Sequence, residues 1–385
     1  MDYFWPAVFV LIALLWVVHG TRAVRGMASL PTLDDFPPVD ETQYPRVSIL
    51  VAARDEARKL PSALTTLLAQ DYPNYEVIIV NDRSQDATPR ILDKFAQGHD
   101  NLKVIHLAEL SAGWLGKPHA LTRAYEHSTG QWLVFTDADV HFAADLLQRS
   151  LSLTLAQGWD HLTLLPLAQL EGFWEKTAIS YWFGSFTHGL KPWRVSDPRS
   201  KDYVGVGAFQ LVRRSTYETI GTHRRLAMEV VEDVKLGKLV KLGGFRSGVA
   251  LGGKRLSLRW VEGLGEHVRN LTKNMFAACG FSVSYACLII ILTLTMSVLP
   301  LGGLLLGTGA VRYLSAACLL AAGLTHMNNG VRLSHASPLY ALTFPLGGVI
   351  LSYVLFRSMV VTLWRGGIIW RNTFYPLKDL RKGMI

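Results

Sequence analysis

Two carboxylates separated by a single residue, Asp137 and Asp139, directly follow an apolar run that ends near Thr136. Paired acids at the mouth of a strand can hold a hard divalent cation, and Mg²⁺ prefers one or two carboxylates together with the phosphates of a substrate. An Asp-x-Asp triplet also occurs by chance on acidic loops. Its position after an apolar strand favours the functional interpretation, which is a site for a nucleotide diphosphate with Mg²⁺ or Mn²⁺ as the cofactor.

Further acids end two other apolar runs. Asp55 and Glu56 follow the run 47–52, and Asp82 ends the run 76–82. Ligands of open α/β sheets bind beyond the carboxyl ends of the strands, so we expect these acids to share one rim with the Asp-x-Asp triplet. Asp82 could accept hydrogen bonds from a uracil or ribose edge, or it could cap the helix that follows. Asp55 and Glu56 allow the same two interpretations.

The segment 228–234 opens a predicted helix and contains two adjacent acids, Glu232 and Asp233. Acids in the first turn of a helix are favoured by its dipole without any function. The alternative is a general base that removes the proton of an acceptor hydroxyl as the hydroxyl attacks. The metal-type triplet elsewhere in the same region favours this second interpretation.

Lys117 lies in a glycine-flanked segment, 113–117, just before a predicted helix. Its cation and the exposed backbone N–H groups could bind a diphosphate, and the alternative is a solvated loop lysine. A glycine pair at Gly205-Val206-Gly207 lacks the third glycine and the βαβ context of a dinucleotide fingerprint, so we reject that interpretation.

The elements that must position these residues alternate between β-branched runs and helical patterns. Strands alternating with helices of this length predict a mainly parallel sheet with helices on both faces. We therefore predict an α/β, Rossmann-like fold over residues 46–253. The predicted strands are 47–52, 76–82, 102–106 and 132–136, and the predicted helices include 60–68, 84–95 and 118–127.

The composition excludes several classes of protein. Of the 385 residues, 50% are apolar and 18% are charged, and the mean hydropathy is +0.22, whereas soluble domains carry about 25% charged residues. This apolar content excludes disorder, and 3 cysteines in apolar sequence exclude a disulfide scaffold and disfavour a zinc site. The excess of 39 basic over 30 acidic residues, a net charge of +9, favours anionic partners such as phospholipid headgroups or nucleotide phosphates.

The apolar N-terminal end predicts a membrane anchor. Residues 4–18 are apolar, and Arg22 and Arg25 follow them. This order predicts a signal anchor over residues 1–22 whose basic flank stays in the cytoplasm. A linker rich in proline and acid is predicted over residues 23–45.

In the C-terminal region, residues 281–364, the number of apolar stretches conflicts with the charge of the tail that follows them. Three crossings there would place the basic tail, 365–385, opposite a cytoplasmic domain, yet its positive charge predicts the cytoplasmic side. One stretch could be re-entrant, and the last is a candidate because Pro345-Leu346-Gly347-Gly348 breaks its pattern. The apolar stretches are 283–306, 313–325 and 339–363.

Residues 254–280 carry apolar side chains at roughly helical spacing, from Leu256 to Leu271. The pattern predicts an amphipathic helix that lies in the membrane interface or, alternatively, one that packs on the sheet. Aromatic residues in the segment 173–183 could line an acceptor entrance, or they could belong to a core or interface belt.

Taken in chain order, these motifs resemble the family 2 glycosyltransferases of the GT-A fold, which are inverting enzymes, in a membrane-anchored form. The resemblance covers residues 46 to about 274, and the tail segment 366–375 is also similar. The chain resembles most the lipid-directed members, such as ceramide glucosyltransferase and the bacterial enzymes that glycosylate carotenoid acids or accompany hopanoid synthesis. The matching motifs are Arg54-Asp55-Glu56, Asp82, Trp114-Leu115-Gly116-Lys117, Asp137-Ala138-Asp139 and Glu232-Asp233.

The resemblance implies a role for each motif. Asp82 would bind the nucleotide base, Asp139 would ligate the metal, and Asp137 would contact the metal and the ribose or diphosphate. Asp233 would be the catalytic base beside Glu232. The donor-binding set would be completed by Asp55, Glu56, Lys117, Arg259 and Trp260.

Two departures from the family pattern concern this set. The first strand usually ends in Arg-Asn-Glu, where this chain has Arg54-Asp55-Glu56. Many relatives carry Gln/Arg-x-x-Arg-Trp after the base, and the nearest match here is Leu256-Ser257-Leu258-Arg259-Trp260, which lacks the leading polar residue. Arg259 would face the leaving diphosphate and Trp260 the acceptor.

These expectations combine into one function, the transfer of a hexose from a nucleotide-sugar, UDP-linked, to a lipid hydroxyl or carboxyl. The expected location is the cytoplasmic face of the cell (inner) membrane, and the expected partners are the donor, the lipid acceptor and the membrane, without nucleic acid. One alternative is a processive polysaccharide synthase that threads its product through the spans. Another is a non-catalytic docking protein whose α/β domain binds nucleotide without turnover.

Overall fold

A computed structural model describes residues 3–36 and 45–385, so part of the predicted linker, 37–44, lies outside the described residues. The chain divides into two compact units. The α/β unit comprises Leu30–Leu167, Pro192–Arg259 and Asp379–Ile385. The helical unit comprises Met1–Ser29, Ala168–Lys191 and Trp260–Lys378.

The α/β unit is built on an eight-stranded sheet. Its strands are β1 (Val47–Ala53), β2 (Tyr75–Asp82), β3 (Leu102–Leu107), β4 (Trp132–Asp137), β5 (Val140–Phe142), β6 (His161–Ala168), β7 (Gln210–Arg213) and β8 (Ser247–Leu258). Their order in the sheet is β3-β2-β1-β4-β7-β6-β8-β5. Strands β1 to β4 are parallel, whereas β7 is antiparallel to β4 and β6, and β5 is antiparallel to β8. The predicted α/β fold with its parallel strands is confirmed.

In the first half of the chain, the helices lie close to the three predicted ranges, 60–68, 84–95 and 118–127. In order they are α1 (Phe4–Ala28), α2 (Leu60–Leu68), α3 (Thr88–Ala96), α4 (Gly116–Glu126), α5 (Leu146–Ala156), α6 (Gly172–Leu190), α7 (Arg214–Thr219), α8 (Glu232–Leu242), α9 (Gly263–Ala278), α10 (Val283–Ser297), α11 (Leu299–Leu306), α12 (Gly309–Ser334), α13 (Phe344–Arg365) and α14 (Leu377–Lys382).

Strand β1 is buried almost throughout, as its continuous apolar sequence predicts for a parallel strand covered on both faces. Leu50 in this strand belongs to one hydrophobic cluster with Leu121 of α4 and Leu239 of α8. The cluster therefore fixes both helices against the sheet. Their first residues, Gly116 and Glu232, mark the two ends that carry candidate site residues.

The carboxyl ends of three parallel neighbours form the predicted rim. β1 ends at Ala53, β2 at Asp82 and β4 at Asp137. The register pairs Ala52 of β1 with Val80 of β2 and with Asp137 of β4. Because these strands are parallel and adjacent, the residues that follow them meet at one edge of the sheet.

Two helices begin later than the sequence predicts. Helix α3 begins at Thr88 rather than Ser84, because Arg83 has φ 57° and residues 84–87 form no regular structure. Helix α8 begins at Glu232, after turns over residues 227–231, so both adjacent acids stand in its first turn.

The helix predicted within residues 254–280 begins later than the pattern indicates. Residues up to Leu258 continue β8, which pairs with β5, and helix α9 begins only at Gly263. Leu256 and Leu258 are buried and alternate with more exposed neighbours. That alternation has the period of a strand. The strand was missed because Leu256 was taken as the first apolar residue of a helical pattern.

Among the residues that the structure describes, four helical segments, all in the helical unit, are long and apolar enough to cross a membrane. Helix α1 extends to Ala28, beyond the predicted anchor, so residues 23–28 are helical rather than linker. The marginal middle stretch forms part of α12, which has 26 residues. The candidate spans are Phe4–Ala28, Val283–Leu306, Gly309–Gly330 and Pro338–Arg365.

The predicted break in the last apolar stretch is wrong. Helix α13 continues from Phe344 to Arg365, and Pro345 stands in its first turn, where a proline costs no intrahelical hydrogen bond. The interruption lies instead in the first stretch, at Val298 between α10 and α11.

The last seven residues belong to the α/β unit. A two-stranded hairpin, β9 (Gly367–Trp370) and β10 (Thr373–Pro376), precedes α14. Beyond it, the carbonyl of Ile385 accepts hydrogen bonds from Lys235 Nζ at 2.5 Å and Lys238 Nζ at 2.7 Å, both on α8. The end of the described chain therefore packs on the helix that begins with Glu232.

Candidate active site

The Asp-x-Asp triplet stands at the mouth of β4, and each of its carboxylates meets a lysine. Asp137 is the last residue of β4, and its carboxylate Oδ1 lies 2.6 Å from Lys117 Nζ. Asp139 Oδ2 lies 3.0 Å from Lys59 Nζ. Each of the two acids is therefore paired with its own ammonium group.

Lys117 joins the triplet to the acids of α8. Its Nζ lies 2.7 Å from Glu232 Oε1, and the Glu232 side chain is only 4% exposed. Burial alone would lower the pKa of Lys117, but the charges of Asp137 and Glu232 outweigh it and hold this pKa well above its ordinary value. Lys117 is therefore a permanent cation that brings two distant acidic motifs into one cluster.

Asp233 has the electrostatics of a general base. Burial, together with the negative charge of Glu232, raises the pKa of Asp233 to about 7. Its Oδ1 accepts a hydrogen bond from the backbone N–H of Val234 at 2.8 Å. A carboxyl that titrates near neutrality both accepts a proton readily and is ionised at working pH, as proton abstraction requires.

A buried chain of hydrogen bonds holds the backbone at Asp233. Gln210 Nε2 on β7 donates to the Asp233 carbonyl at 3.2 Å. Gln210 Oε1 lies 3.0 Å from His161 Nε2, and His161 Nδ1 lies 2.8 Å from Ser247 Oγ. Burial lowers the pKa of His161 to about 4, so the ring is neutral, with its proton on Nε2 because an amide oxygen only accepts. Strands β6, β7 and β8 thus position the start of α8.

Asp139 depends on a cation. Burial and the charge of Asp137 raise the pKa of Asp139, and the Lys59 ammonium opposes this shift. The same ammonium donates to the carbonyl of Arg259 at 2.9 Å. Sequence reasoning missed Lys59, because a lysine at the start of a helix gives no indication of a partner 80 positions away in the chain.

Asp82 is held beside the start of α4. Arg83 donates two hydrogen bonds to its carboxylate, at 2.7 and 2.9 Å, and Arg54 Nη1 lies 3.7 Å from it. A side chain at Gly116 would overlap this carboxylate, so close approach requires glycine there. The capping interpretation of Asp82 is wrong, since the helix after β2 begins only at Thr88.

Asp55 and Glu56 connect the loops that follow β1 and β2. Asp55 has φ 54°, and its Oδ1 accepts the backbone N–H of Gln85 at 2.7 Å while its own N–H donates to Ser84 Oγ at 2.9 Å. The backbone N–H of Glu56 donates to Thr88 Oγ1 at 2.9 Å. These bonds shape the rim around Asp82.

The predicted Arg259-Trp260 pair is divided between the two units. Arg259 ends the α/β unit, where its carbonyl receives Lys59. Trp260 begins a segment of the helical unit, and its ring packs against Trp182 at 4.7 Å and edge-on against His267 at 5.9 Å.

The glycines of Gly205-Val206-Gly207 have a structural explanation other than a dinucleotide fingerprint. They precede β7, which is antiparallel to β4. The Gly207 carbonyl accepts the N–H of Asp137 at 2.9 Å, and a side chain at Gly207 would overlap the Asp137 carboxylate and approach Lys117 Nζ to 3.1 Å. The glycine pattern was a real signal of close approach to the site.

The residues present suit a divalent cation that shares its coordination with a substrate. Among residues 3–36 and 45–385, no group of three or more His, Cys, Asp and Glu side chains is placed to enclose a metal ion. Mg²⁺ and similar ions commonly use one or two carboxylates and take their other ligands from water and phosphate. Asp139 and Asp137 are two neighbouring carboxylates of this kind, and each is paired with a lysine ammonium.

Comparisons with known proteins show what the chain is similar to. Residues 48–179 match the sequence model of glycosyl transferase family 2. The chain is 34% identical over 146 residues to a beta-monoglucosyldiacylglycerol synthase of Synechocystis sp. (35% of this chain, 30% of that protein). It is 34% identical over 145 residues to a beta-monoglucosyldiacylglycerol synthase of Trichormus variabilis (37% of this chain, 30% of that protein).

One solved structure covers almost all of both chains. The mannosyltransferase PcManGT from Pyrobaculum calidifontis, in complex with GDP-Man and Mn²⁺, has a TM-score of 0.55 and 20% identity over 94% of this chain and 99% of that chain. This likeness shows a shared fold. The chain spans about a third of the length of the two curated relatives, 30% in each case. Residues 48–179 therefore resemble a family 2 glycosyltransferase domain, and the α/β unit has the GT-A fold.

Proposed function

We propose that this chain, with its family 2 glycosyltransferase domain, moves one hexose from a UDP-linked donor to a lipid hydroxyl, with inversion at the anomeric carbon. The observation that carries the proposal is the ion-paired cluster in which Lys117 contacts both Asp137 and Glu232, beside Asp233 with its raised pKa. It supports the proposal that a diphosphate-binding triplet and a base share one rim.

The donor would lie along the ends of β2 and β4. Asp82 would accept hydrogen bonds from the nucleotide base, since its buried carboxylate follows β2 beside the start of α4. Asp137 would bind the ribose or diphosphate side. Asp55 and Glu56 would shape the same loop through the backbone hydrogen bonds described above.

Negative charge builds on the terminal phosphate of the diphosphate as its bond to the sugar breaks, and this charge must be neutralised. The Lys117 ammonium is held at the rim by Glu232, so it is available to phosphate oxygens without a change of protonation. Arg259 would contribute a second cation on the same side. A divalent cation held by Asp139 and Asp137 would add Lewis-acid neutralisation of the diphosphate.

Asp233 would accept the proton of the acceptor hydroxyl during a single displacement. The hydroxyl oxygen forms the bond to the anomeric carbon, the bond from that carbon to the diphosphate oxygen breaks, and the proton moves to the Asp233 carboxylate. Glu232 acts as a positioning residue, because it holds Lys117 and raises the pKa of its neighbour. No covalent enzyme intermediate is needed.

A lipid acceptor is supported by the four apolar helices and by the names of the curated relatives. Those names point to glucose as the first sugar to test and diacylglycerol as the first acceptor. Trp260, which packs in an aromatic cluster of the helical unit, would contact the acceptor.

The α/β unit would lie on the cytoplasmic side together with the tail. Asp379–Ile385 belongs to the same unit as the rim, which supports a common side and therefore an even number of crossings between Arg259 and Asp379. The interrupted pair α10 and α11 is our candidate for the re-entrant segment. Together they have the length of a span, 24 residues, but Val298 divides them into parts of 15 and 8 residues, each shorter than the roughly 20 that a single crossing helix needs.

The test is product analysis. Membranes that contain the protein would be incubated with UDP-glucose, UDP-galactose or GDP-mannose and with diacylglycerol, and the extracted lipids analysed by mass. We expect one added hexose with wild-type protein and none with Asp233→Asn. Long glycan chains would favour a processive synthase instead, and donor binding without any transfer or donor hydrolysis would refute the enzymatic proposal.

A further inference from the structure

Lys59 occupies an unusual position between three elements of the α/β unit. It directly precedes α2, and its backbone N–H donates to the Glu56 carbonyl at 3.1 Å. Its ammonium reaches Asp139 Oδ2 at 3.0 Å and the Arg259 carbonyl at 2.9 Å. The Lys59 and Asp139 side chains are 20% and 19% exposed, so the pair lies at a surface that solvent and ligands can reach.

The two lysines of the rim are not equivalent. Lys117 has two carboxylate partners, and Glu232 retains it if Asp137 turns toward a ligand. Lys59 has one carboxylate and one backbone carbonyl. The Arg259 carbonyl can keep Lys59 in place after its ion pair with Asp139 opens, whereas Asp139 then needs another cation.

A divalent cation requires the same carboxylate. Mg²⁺ binds carboxylate oxygens at about 2.0–2.1 Å, and an ammonium at hydrogen-bond distance from Asp139 Oδ2 repels an ion arriving there. Asp139 lies in a partly buried place beside a second acid, Asp137, so it is unfavourable for its charge to stay without a counter-ion.

We propose that Lys59 is an exchangeable counter-ion for Asp139, which a divalent cation displaces when it enters with the nucleotide. This inference rests on the proposed function only for the identity of the cation and nucleotide. Before exchange, Lys59 orients the Asp139 carboxylate through the contact at 3.0 Å. After exchange, its ammonium stays at the Arg259 carbonyl, so the metal affinity of the site is set by competition with Lys59.

Because Lys59 and the cation compete for Asp139, the proposal predicts whether each substitution of Lys59 raises or lowers the affinity for Mn²⁺. Lys59→Met removes the competing charge and keeps much of the side-chain length, so Mn²⁺ should bind more tightly, by about fivefold for an ion pair of ordinary strength. Lys59→Arg keeps the charge and should stay within about twofold of wild type. If Lys59 served only to orient Asp139, its loss would instead weaken Mn²⁺ binding.

The test measures Mn²⁺ binding to the full chain in detergent, with UDP present, from the electron paramagnetic resonance signal of free Mn²⁺. Lys94→Met, on the exposed side of α3, is the matched control and should not change the affinity. Asp139→Asn should abolish the binding that Lys59→Met strengthens. Unchanged or weaker binding in Lys59→Met, or no Mn²⁺ binding in any variant, would overturn the proposal.

This measurement is independent of the acceptor. If Lys59→Met tightens Mn²⁺ binding but no glycolipid forms with any donor, the exchange stands and the proposed lipid transfer fails. If glycolipid forms and Mn²⁺ affinity is indifferent to Lys59, the function stands and the exchange fails. The melting temperature of each variant shows whether a lower affinity comes from unfolding, and Lys59→Arg remains informative because it preserves the ion pair.

Discussion

Glu232→Gln should move the pH dependence of transfer to more acid values. Asp233 as a base must be ionised, and with a pKa of about 7 it becomes protonated as the pH falls through neutrality. Activity is therefore present above this pKa and lost below it. The causes of the raised pKa are burial first and then the charge of Glu232, so glutamine at position 232 removes the second cause and leaves the first.

The size of the effect follows from the ionised fraction. A like charge in contact typically shifts a carboxyl pKa by about one unit or more. At about pH 6, a base of pKa about 7 is ionised in about 9% of molecules, and a base of pKa about 6 in about 50%. At about pH 6, the fraction of the plateau kcat/KM that the variant retains should therefore be about five times the fraction that wild type retains. This holds even if the plateau itself is lower.

The assay is the initial rate of glycolipid formation between about pH 5 and pH 9, expressed as kcat/KM for the donor. Glu109→Gln, an exposed substitution in the same unit, should reproduce the wild-type profile. Asp233→Asn should bind UDP but show no turnover at any pH. An acid limb that stays in place or moves upward in Glu232→Gln would refute the assignment of Asp233 as a base controlled by its neighbour.

Other predictions concern the metal ligand, a glycine and the topology. Asp139→Asn should lose both transfer and UDP-dependent Mn²⁺ binding, and full activity in a chelator would contradict this. Gly207→Ala should lose most transfer because the added methyl group overlaps the Asp137 carboxylate, whereas Gly98→Ala, which meets only a carbonyl at 3.8 Å, should be neutral in both transfer rate and melting temperature. With the native cysteines replaced, Lys382→Cys and Glu109→Cys should react with a membrane-impermeant maleimide from the same side of sealed vesicles. Labelling from opposite sides would exclude an even number of crossings between Arg259 and Asp379.

Much of the fold follows from local patterns. The continuous apolar sequence of β1, β2 and β4 requires burial on both faces, and the acids at positions 55, 82 and 137 follow from the polar ends of such strands. The start of α3 could not be predicted as well, because a single residue, Arg83, adopts φ 57° and delays the helix to Thr88. The last residues of β8, 254–258, were included in the predicted helix. So short a run contains too few apolar residues to distinguish the period of a strand from that of a helix.

The amino-acid sequence shows which chemical groups are present, and its strand pattern predicts that most of them lie at the carboxyl ends of strands. Which of these charged groups form ion pairs with one another depends on the tertiary structure. Lys117 bridges Asp137 and Glu232, Lys59 meets Asp139, and His161 supports Asp233 through Gln210. Ion pairing acts through space over a few ångströms, so the pKa of a base and the counter-ion of a metal ligand depend on packing between distant segments, which no local pattern of residues encodes.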